Sequence, residues 1–281
     1  MSNHFHILLE VPAPPPDRGA DWSDEKLLAH LSELYSKQQM GKLRWELEQY
    51  RSQDNTVAAE AFRERYFRRM WDLSQFMKPL KQRFTSWFNR QHERRGTLWE
   101  ERFKSILVED GHAARTTAAY IDLNPVRAGM VDDPKDYRWS SYGEAVAGVQ
   151  RSREGLQRVM FEAGAATSAE AIAIEELVSW RKAAHHYRQI LYLAANRDRT
   201  PESDDTPRQL SEAEALRCRL RHMADGMALG SGVFVENIFR WSRRRFGKKR
   251  RTGARLLRGV ATPLRTLRDL GWITGNQNGS S

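Results

Sequence analysis

Two histidines near the start of the chain are spaced so that they could bind one ion. His4 and His6 are separated by one residue, and a short apolar run follows them. Side chains alternate between two faces in a β-strand, so both imidazoles would share the face of Leu8, opposite Phe5 and Ile7. The pattern predicts either a metal site or two ordinary histidines on a half-exposed edge strand.

A tyrosine and an asparagine further along the chain have the spacing of one helical face. Residues 110–119 contain several alanines, which favour a helix, and Asn124-Pro125 ends or bends it. Tyr120 and Asn124 are four residues apart, which places them on the same side of that helix. A phenol beside an amide oxygen suits a nucleophile next to a ligand for a hard metal ion. The alternative is that Tyr120 packs in the core and Asn124 caps the helix end.

Four blocks of the sequence, taken in order, resemble the single-tyrosine HUH transposases, and within them most closely the REP-associated tyrosine transposases. The blocks are NHFHILL at 3–9, GTLWEERFKS at 96–105, YIDLNPVRAG at 120–129 and YRWSSY at 137–142. The resemblance implies a ferredoxin-like catalytic domain that cuts and rejoins single-stranded DNA, with hairpin-forming repeats as substrate. It places the histidine pair of the family at His4 and His6, the nucleophile at Tyr120 and the third metal ligand at Asn124.

The chemistry expected of such a site is DNA transposition and recombination through a covalent intermediate. Mg²⁺ or Mn²⁺, held by two imidazoles and an amide oxygen, would polarise the scissile phosphate. Tyr120 would attack the phosphorus and give a 5′-phosphotyrosine with a free 3′-hydroxyl. Tyr137 and Tyr142 are less favoured nucleophiles, because neither has a partner at helical spacing.

The sequence departs from the family pattern at its start. Family members usually carry another strand and helix before the histidine strand, whereas these histidines follow Met1 almost directly. The departure favours an internal methionine of a longer protein at this position. A chain that truly began there would have an unpaired strand edge and a fraying His4, and we would expect weaker metal binding and lower activity.

Composition favours a polyanionic partner and a cytoplasmic setting. The 281 residues carry a formal net charge of +10 and an isoelectric point near 9.9, which makes nucleic acid the first candidate partner. No apolar run approaches the roughly 18–20 residues of a membrane span. The single cysteine, Cys218, excludes an internal disulfide framework and suits a reducing compartment. Monomer and homodimer both stay open.

The coarse organisation predicts an α+β protein in three parts. Residues 1–148 form the catalytic domain, with a helical insertion over 12–70; residues 149–200 form a helical connector; and residues 201–281 form a basic, mainly α-helical DNA-binding region. We expect one helix over 23–52 that begins at Ser23, and a second over 56–92 that Pro79 kinks or divides. Short strands are expected at 98–99 and 103–109.

The C-terminal region concentrates positive charge. Residues 240–268 contain twelve lysines and arginines and no acidic residue, interleaved with Trp241 and Phe246. A predicted helix before Asp225, a glycine-containing turn and a basic helix from Val233 to Phe246 suggest a helix-turn-helix-like module. The alternative is a solvated basic tail. The candidate DNA-binding residues are Arg243, Arg244, Arg245, Lys248, Lys249, Arg250 and Arg251.

Three functions remain open from the sequence. The first is a metal-dependent DNA strand transferase with Tyr120 as nucleophile. The second is a non-catalytic DNA-binding protein, a truncated or domesticated relative of such an enzyme. The third is a metal-dependent phosphodiesterase in which water replaces Tyr120; the lack of further carboxylates near the motif disfavours it.

Overall fold

The structure is a computed structural model that describes residues 4–14, 21–161, 180–193, 210–211, 216, 226–257 and 260–268. The chain forms two compact units. A helical unit contains residues 9–103, and a mixed unit contains residues 1–8 together with 104–281. Each unit is considered by itself below.

The helical unit contains four helices, and these are α1 (Asp24–Ser32), α2 (Lys37–Ser52), α3 (Thr56–Phe67) and α4 (Leu73–Gln91). Leucines of α1 and α2 and aromatic residues of α3 form its core. Helices therefore occupy the predicted insertion, and they continue past its expected end at residue 70.

The prediction of a single helix over 23–52 was wrong, although its start was right. Ser23 caps α1 by accepting a hydrogen bond from the Lys26 amide at 3.2 Å. A second cap then interrupts the helix: Ser36 Oγ accepts from the Gln39 amide at 3.3 Å, and Gln39 Oε1 accepts from the Ser36 amide at 3.1 Å. This capping box starts α2 as a new helix because it satisfies amides that a continuous helix would have bonded internally.

Pro79 was predicted to kink or divide the second helical segment, and it does not divide it. The chain breaks earlier, between Phe67 and Leu73, where Trp71 adopts a positive φ of 56°. Asp72 then caps α4 by accepting from the amides of the two residues that follow Leu73, at 2.7 and 3.2 Å. Pro79 lies inside α4. The local cap at Asp72, rather than the proline, sets the helix boundary.

The mixed unit contains six helices and six short strands among its described residues. The helices are α5 (His112–Asp122), α6 (Asn124–Arg127), α7 (Ser141–Val146), α8 (Gln150–Met160), α9 (Trp180–Leu193) and α10 (Gly232–Trp241). The strands are β1 (Leu107–Val108), β2 (Leu210–Ser211), β3 (Ala228–Gly230), β4 (Arg255–Leu256), β5 (Val260–Ala261) and β6 (Arg265–Leu267).

Four of these strands form a mixed sheet in the order β1-β3-β6-β4. β1 pairs with β3 in parallel, Leu107 opposite Ala228, whereas β6 pairs antiparallel with both β3 and β4. β2 and β5 form a separate parallel pair. Helices with a small sheet agree with the predicted α+β class. Of the strands expected at 98–99 and 103–109, only 107–108 is a strand.

The described residues of the C-terminal region are not mainly α-helical, contrary to the prediction for the region. Within its described residues, α10 is accompanied by strands β2 to β6, and residues 228–230 form β3 where the sequence suggested a turn. Gly230 is needed there because a Cβ atom would lie 2.6 Å from the Cβ of Glu109. The helix expected before Asp225 lies largely outside the described residues. Residues 197–209, whose polar composition and two prolines predict a linker, lie entirely outside them. The connector contains α8 and α9, as expected for a helical segment.

The sheet separates two cores, because neighbouring residues of β3 face opposite sides. Leu229 belongs to the core that includes Tyr120 of α5 and residues of α7, α8 and α9. Ala228 belongs to the other core, with Val235 and Phe239 of α10. Helix α5 and helix α10 therefore cover different faces of one sheet.

Among the described residues, no helix is both long and apolar enough to cross a lipid bilayer.

A buried carboxyl group lies at the end of α5. Asp122 accepts hydrogen bonds from the Tyr187 hydroxyl at 2.6 Å and from the Tyr142 amide at 3.5 Å. Burial raises the pKa of Asp122 to about 6, even though hydrogen bonds from Tyr187, Tyr142 and Ser140 act in the opposite direction. Burial, and then the nearby carboxylate, raises the pKa of Tyr187. The carboxyl group is therefore more easily charged in the unfolded chain than in the folded one.

We expect Asp122→Asn to remove a pH-dependent loss of stability. A carboxyl whose pKa is higher in the folded than in the unfolded state stabilises the fold fully below about pH 4. This stabilisation is lost as the pH rises through about 6. The free energy of unfolding of the wild type, relative to Asp122→Asn, should fall by about 3 kcal/mol across that window. Urea unfolding at pH 4 to 8 measures it.

A matched variant tests the same assignment from the other side. Tyr187→Phe removes the hydrogen bond that lowers the pKa of Asp122. The pKa of Asp122 should therefore rise further, and the loss of stability with increasing pH should extend to higher pH. Identical pH profiles for the wild type and Asp122→Asn would contradict the assignment.

Candidate functional site

The two histidines lie in a segment without strand pairing. Residues 4–14 form no strand ladder within the described parts of the chain, so the predicted histidine strand is absent. The alternation of faces is visible from Phe5 to Leu8, but His4 is exposed, unlike His6. His6 and Leu8 are half-buried, and Leu8 packs on the core that contains Tyr120, whereas Phe5 and Ile7 are exposed.

The imidazoles lie close to each other. The ring centroids of His4 and His6 are 5.2 Å apart in an edge-to-face arrangement. Burial lowers the pKa of His6 most strongly, and the charges of His4 and Arg127 lower it further. His6 therefore favours the neutral form, which is the form that binds a metal ion.

Tyr120 and Asn124 do not share a continuous helix. Helix α5 ends at Asp122, and Asn124 begins the short helix α6, because Pro125 brings a new helical start. Tyr120 is only 4% exposed and lies in the core. The expected helix end at Asn124-Pro125 is confirmed to within two residues, and Tyr120 and Asn124 belong to consecutive helices that Leu123 joins.

Arg127 joins the two predicted groups, and it was not singled out from the sequence. Its guanidinium carbon lies 4.0 Å from the centre of the Tyr120 ring. Its Nη2 donates to Asn124 Oδ1 at 2.6 Å and to the Tyr120 carbonyl at 2.7 Å, and its Nη1 donates to the Leu216 carbonyl. The same side chain is close enough to His6 to lower the pKa of that imidazole. Arg127 is thus the common neighbour of His6, Tyr120 and Asn124.

The sequence carried a signal for this role. Arg127 is seven residues after Tyr120, about two helical turns, and three after Asn124. That spacing allows one long side chain to reach back over both residues. The break between α5 and α6 could not be read from the spacing alone.

The donor set fits a divalent cation only in part. The two imidazoles fit, because His6 is biased towards the neutral form. The Asn124 oxygen already accepts from a guanidinium, and a cation bound there would face that positive charge. Among the residues described, no three His, Cys, Asp or Glu side chains are grouped as a metal site. Of the ligands predicted from the sequence, Asn124 is therefore the one that would have to complete a site with the two imidazoles.

The other end of the Asn124 amide offers a donor. Asn124 Nδ2 is buried without a hydrogen-bond partner in the structure. The bond from Arg127 fixes the oxygen side of the amide, since a flipped amide would place two donors against each other. A buried NH₂ group without an acceptor costs about 1–3 kcal/mol. The arrangement of Asn124 and Arg127 thus suits an incoming anion such as a phosphate.

The predicted DNA-binding residues divide into two kinds. Arg244, Arg245, Lys248, Lys249 and Arg251 are exposed. Arg243 instead folds back, donating to three main-chain carbonyls at 3.0 to 3.3 Å.

Arg250 also has a structural role. It donates to the carbonyls of Thr252, Gly253 and Arg268 at 2.7 to 3.1 Å. Its guanidinium lies 4.5 Å from the centre of the Phe246 ring. The prediction that Arg243 and Arg250 serve DNA binding finds no support in these contacts, because their donors are already used within the fold.

Comparisons with protein-family models, with curated proteins and with solved structures found no match for this chain. The functional assignment therefore rests on the residues and their geometry.

We expect Arg127→Gln to raise the pKa of His6. The substitution removes a positive charge that opposes protonation of this imidazole, and NMR titration of the histidine ring protons measures the change. Arg138→Gln is the matched control, because Arg138 is an exposed arginine that packs on Trp139. Equal His6 titration in the wild type and Arg127→Gln would show that the histidines and Arg127 do not converge.

We expect Arg250→Gln to destabilise the fold and Lys249→Gln to leave its stability unchanged. Both variants lose one positive charge, but only Arg250 donates to three carbonyls. The loss should be about 1–3 kcal/mol in the free energy of unfolding, measured by urea titration. Equal stability of the two variants would return Arg250 to the set of free DNA-binding cations.

Proposed function

We propose that the protein cuts and rejoins single-stranded DNA through Tyr120. The observation that carries the proposal is the position of Arg127, whose guanidinium contacts Tyr120 and Asn124 and acts electrostatically on His6. Three of the four residues that the family resemblance assigns to one site thus have a common neighbour, and the fourth, His4, lies beside His6. The resemblance in four sequence blocks and the net charge of +10 give further support.

In the proposed reaction, the phenol oxygen of Tyr120 attacks the phosphorus of a phosphodiester. The new O–P bond replaces the P–O3′ bond, and the departing 3′ oxygen takes up a proton. The energy of the broken ester stays in the phosphotyrosine, so a 3′-hydroxyl can later attack it and restore a phosphodiester. Hairpin-forming repeat DNA is the substrate that the resemblance implies.

Arg127 and Asn124 would receive the phosphate. Tyr120 is 4% exposed and the Arg127 guanidinium lies over its ring, so we expect a phosphorus to reach the phenol only after surrounding side chains move, Arg127 among them. A phosphate is a strong bidentate acceptor for arginine, and it would also satisfy the buried Asn124 Nδ2. Substrate binding would thus uncover the nucleophile and complete the hydrogen bonds of Asn124.

His4 and His6 would hold Mg²⁺ or Mn²⁺, with Asn124 Oδ1 as a ligand once Arg127 has left it; the bound ion would polarise the scissile phosphate. Held in this way, the imidazoles also fix the start of the chain beside the core on which Leu8 packs.

The proposal extends to fold and setting. We place the catalytic residues in a ferredoxin-like domain, as the resemblance implies, and the protein in the cytoplasm, where a single cysteine would stay reduced.

A second candidate is a DNA-binding protein that does not cut. Two observations favour it: the nucleophile is 4% exposed, and the oxygen of the third ligand is engaged by a guanidinium. The third candidate, hydrolysis by water, would not need Tyr120.

The decisive experiment follows a covalent adduct. A pool of single-stranded hairpin oligonucleotides with randomised loops and flanks, labelled at the 3′ end, is incubated with protein and Mn²⁺ and then run on a denaturing gel. We expect a labelled protein band that EDTA prevents. Tyr120→Phe, which keeps the ring beneath Arg127 and removes only the hydroxyl, should abolish the band; Tyr137→Phe should keep it.

The remaining outcomes separate the candidates. Cleavage without an adduct, undiminished in Tyr120→Phe, would establish hydrolysis by water. Retarded mobility on a native gel, with intact DNA under every metal condition, would establish a binding protein.

A further inference from the structure

We propose that Trp241 and the cations that follow it form a second contact surface for single-stranded nucleic acid. This surface, the Trp241 patch, consists of Trp241, Arg244, Arg245, Lys248, Lys249 and Arg251. The inference takes only the class of ligand from the proposed function. Binding at the patch needs neither Tyr120 nor a metal ion.

Trp241 ends helix α10 with its side chain in solvent. The residue is 82% exposed, although the rest of α10 buries Val235 and Phe239 against the sheet. Val233 on the same helix is 73% exposed, and Asn237 between them is also exposed. Positions 233, 237 and 241 are four residues apart and so define one outward face. A large apolar ring fully presented to solvent at a helix end is a ready platform for stacking.

The cations of the patch are presented by a fixed turn. Arg243 to Arg245 form a 3₁₀ turn directly after α10. Arg243 binds the carbonyls of Phe246 and Lys248 at 3.0 Å, which holds that turn closed. Arg244 and Arg245 are exposed on it. The turn therefore fixes the backbone of these two arginines three and four residues after Trp241.

The charge of the patch selects a polyanion. Residues 240–268 contain twelve lysines and arginines and no acidic residue. The nearest acid on α10, Glu236, accepts from the Gly253 amide at 2.9 Å and so serves the fold. Phosphates would pair with the cations, and an unpaired base would stack on the Trp241 ring. Proteins bind single strands without sequence preference in this way, by combining a basic groove with aromatic side chains on which bases stack.

A single strand fits better than the groove of a duplex. Helices that read a major groove do so with residues near the helix start. The start of α10 is occupied by a carboxylate, because the Ser231 hydroxyl donates to Glu109 at 2.9 Å and the Ser231 amide also donates to it. A negative charge at that end repels a phosphate backbone. The positive charge lies at the opposite end, with the exposed ring.

The patch is separate from the Tyr120 site. Helix α10 covers the Ala228 face of β3, and Tyr120 belongs to the core on the Leu229 face. The two contact surfaces therefore lie on different faces of the same sheet. A strand held at the patch would be anchored away from the bond that Tyr120 attacks.

Binding is measured in the Tyr120→Phe background with EDTA, so that cleavage plays no part. Fluorescence anisotropy with a labelled oligothymidine should give tighter binding than a duplex of the same length. Trp241→Ala should weaken single-strand binding about tenfold, and Trp241→Phe should recover part of it. Trp45→Ala is the matched control, since Trp45 is 64% exposed on α2, and it should bind as the parent does.

The salt dependence tests the cations independently of folding. The double variant Arg244→Gln/Arg245→Gln should make the slope of log affinity against log salt concentration less steep by about 1.4, the value for two phosphate contacts on a single strand. The exposed pair on α2, changed as Lys37→Gln/Lys42→Gln, should leave the slope unchanged.

Several results would overturn the patch. The first two are tighter binding of the duplex than of the single strand, and equal single-strand affinity of Trp241→Ala and Trp45→Ala. The others are an unchanged salt slope in the arginine double variant, and a dimer in light scattering that dissociates in Trp241→Ala. An adduct formed normally by Trp241→Ala would leave the strand transferase intact. Loss of binding in Trp241→Ala, with no adduct ever formed by the wild type, would keep the patch and reject the transferase.

Discussion

The parallel pairing of β1 with β3 is the contact on which the mixed unit depends. The Leu107 amide donates to the Met227 carbonyl and the Glu109 amide to the Leu229 carbonyl, each at 2.9 Å. β1 leads into the helix that carries Tyr120, and β3 leads into the helix that ends at Trp241. Parallel strands need a crossover connection, and in this chain the crossover contains helices α5 to α9. A ladder of two residues therefore fixes the positions of both candidate sites.

Within that frame, a single arginine organises the residues that could do chemistry. Arg127 holds the amide of Asn124 in one orientation, lies over Tyr120 and biases His6 towards its neutral form. The arrangement is closed, because Tyr120 is 4% exposed and the amide oxygen of Asn124 is occupied. It is also incomplete, because Asn124 Nδ2 lacks an acceptor. A phosphate could accept from the unpaired Asn124 Nδ2 and from Arg127, whereas a bare cation could not. The geometry therefore favours an anion over a bare cation.

Helix ends that depend on neighbouring residues were predictable from the sequence, and contacts between distant parts of the chain were not. Ser23 as a cap, the helix end near Asn124-Pro125 and the exposed cations around Lys248 follow from short-range rules, and these held. Pro79 failed as a helix breaker because Asp72, whose carboxylate reaches two amides, supplies a stronger boundary. The C-terminal strands were not predicted, because each is two or three residues long and is too short to show a period-two pattern. The bonds of Arg243 and Arg250 to main-chain carbonyls were not foreseen, because charge alone does not reveal whether a guanidinium meets solvent or a carbonyl.

The carboxylate that binds the capping residue of α10 has a consequence for how the chain folds. Ser231 caps α10 locally, because its hydroxyl accepts from the Phe234 amide at 3.1 Å. Glu109 is 122 residues away from Ser231 in sequence, so this cap gains its carboxylate partner only after a very long loop has closed. Loop closure of this kind is entropically costly and comes late relative to local contacts. Helices α1 to α4 rely on caps from residues beside them and can form early. The bond between Glu109 and Ser231, in contrast, joins the strand before the Tyr120 helix to the start of the Trp241 helix, and it forms only when distant parts of the chain have met.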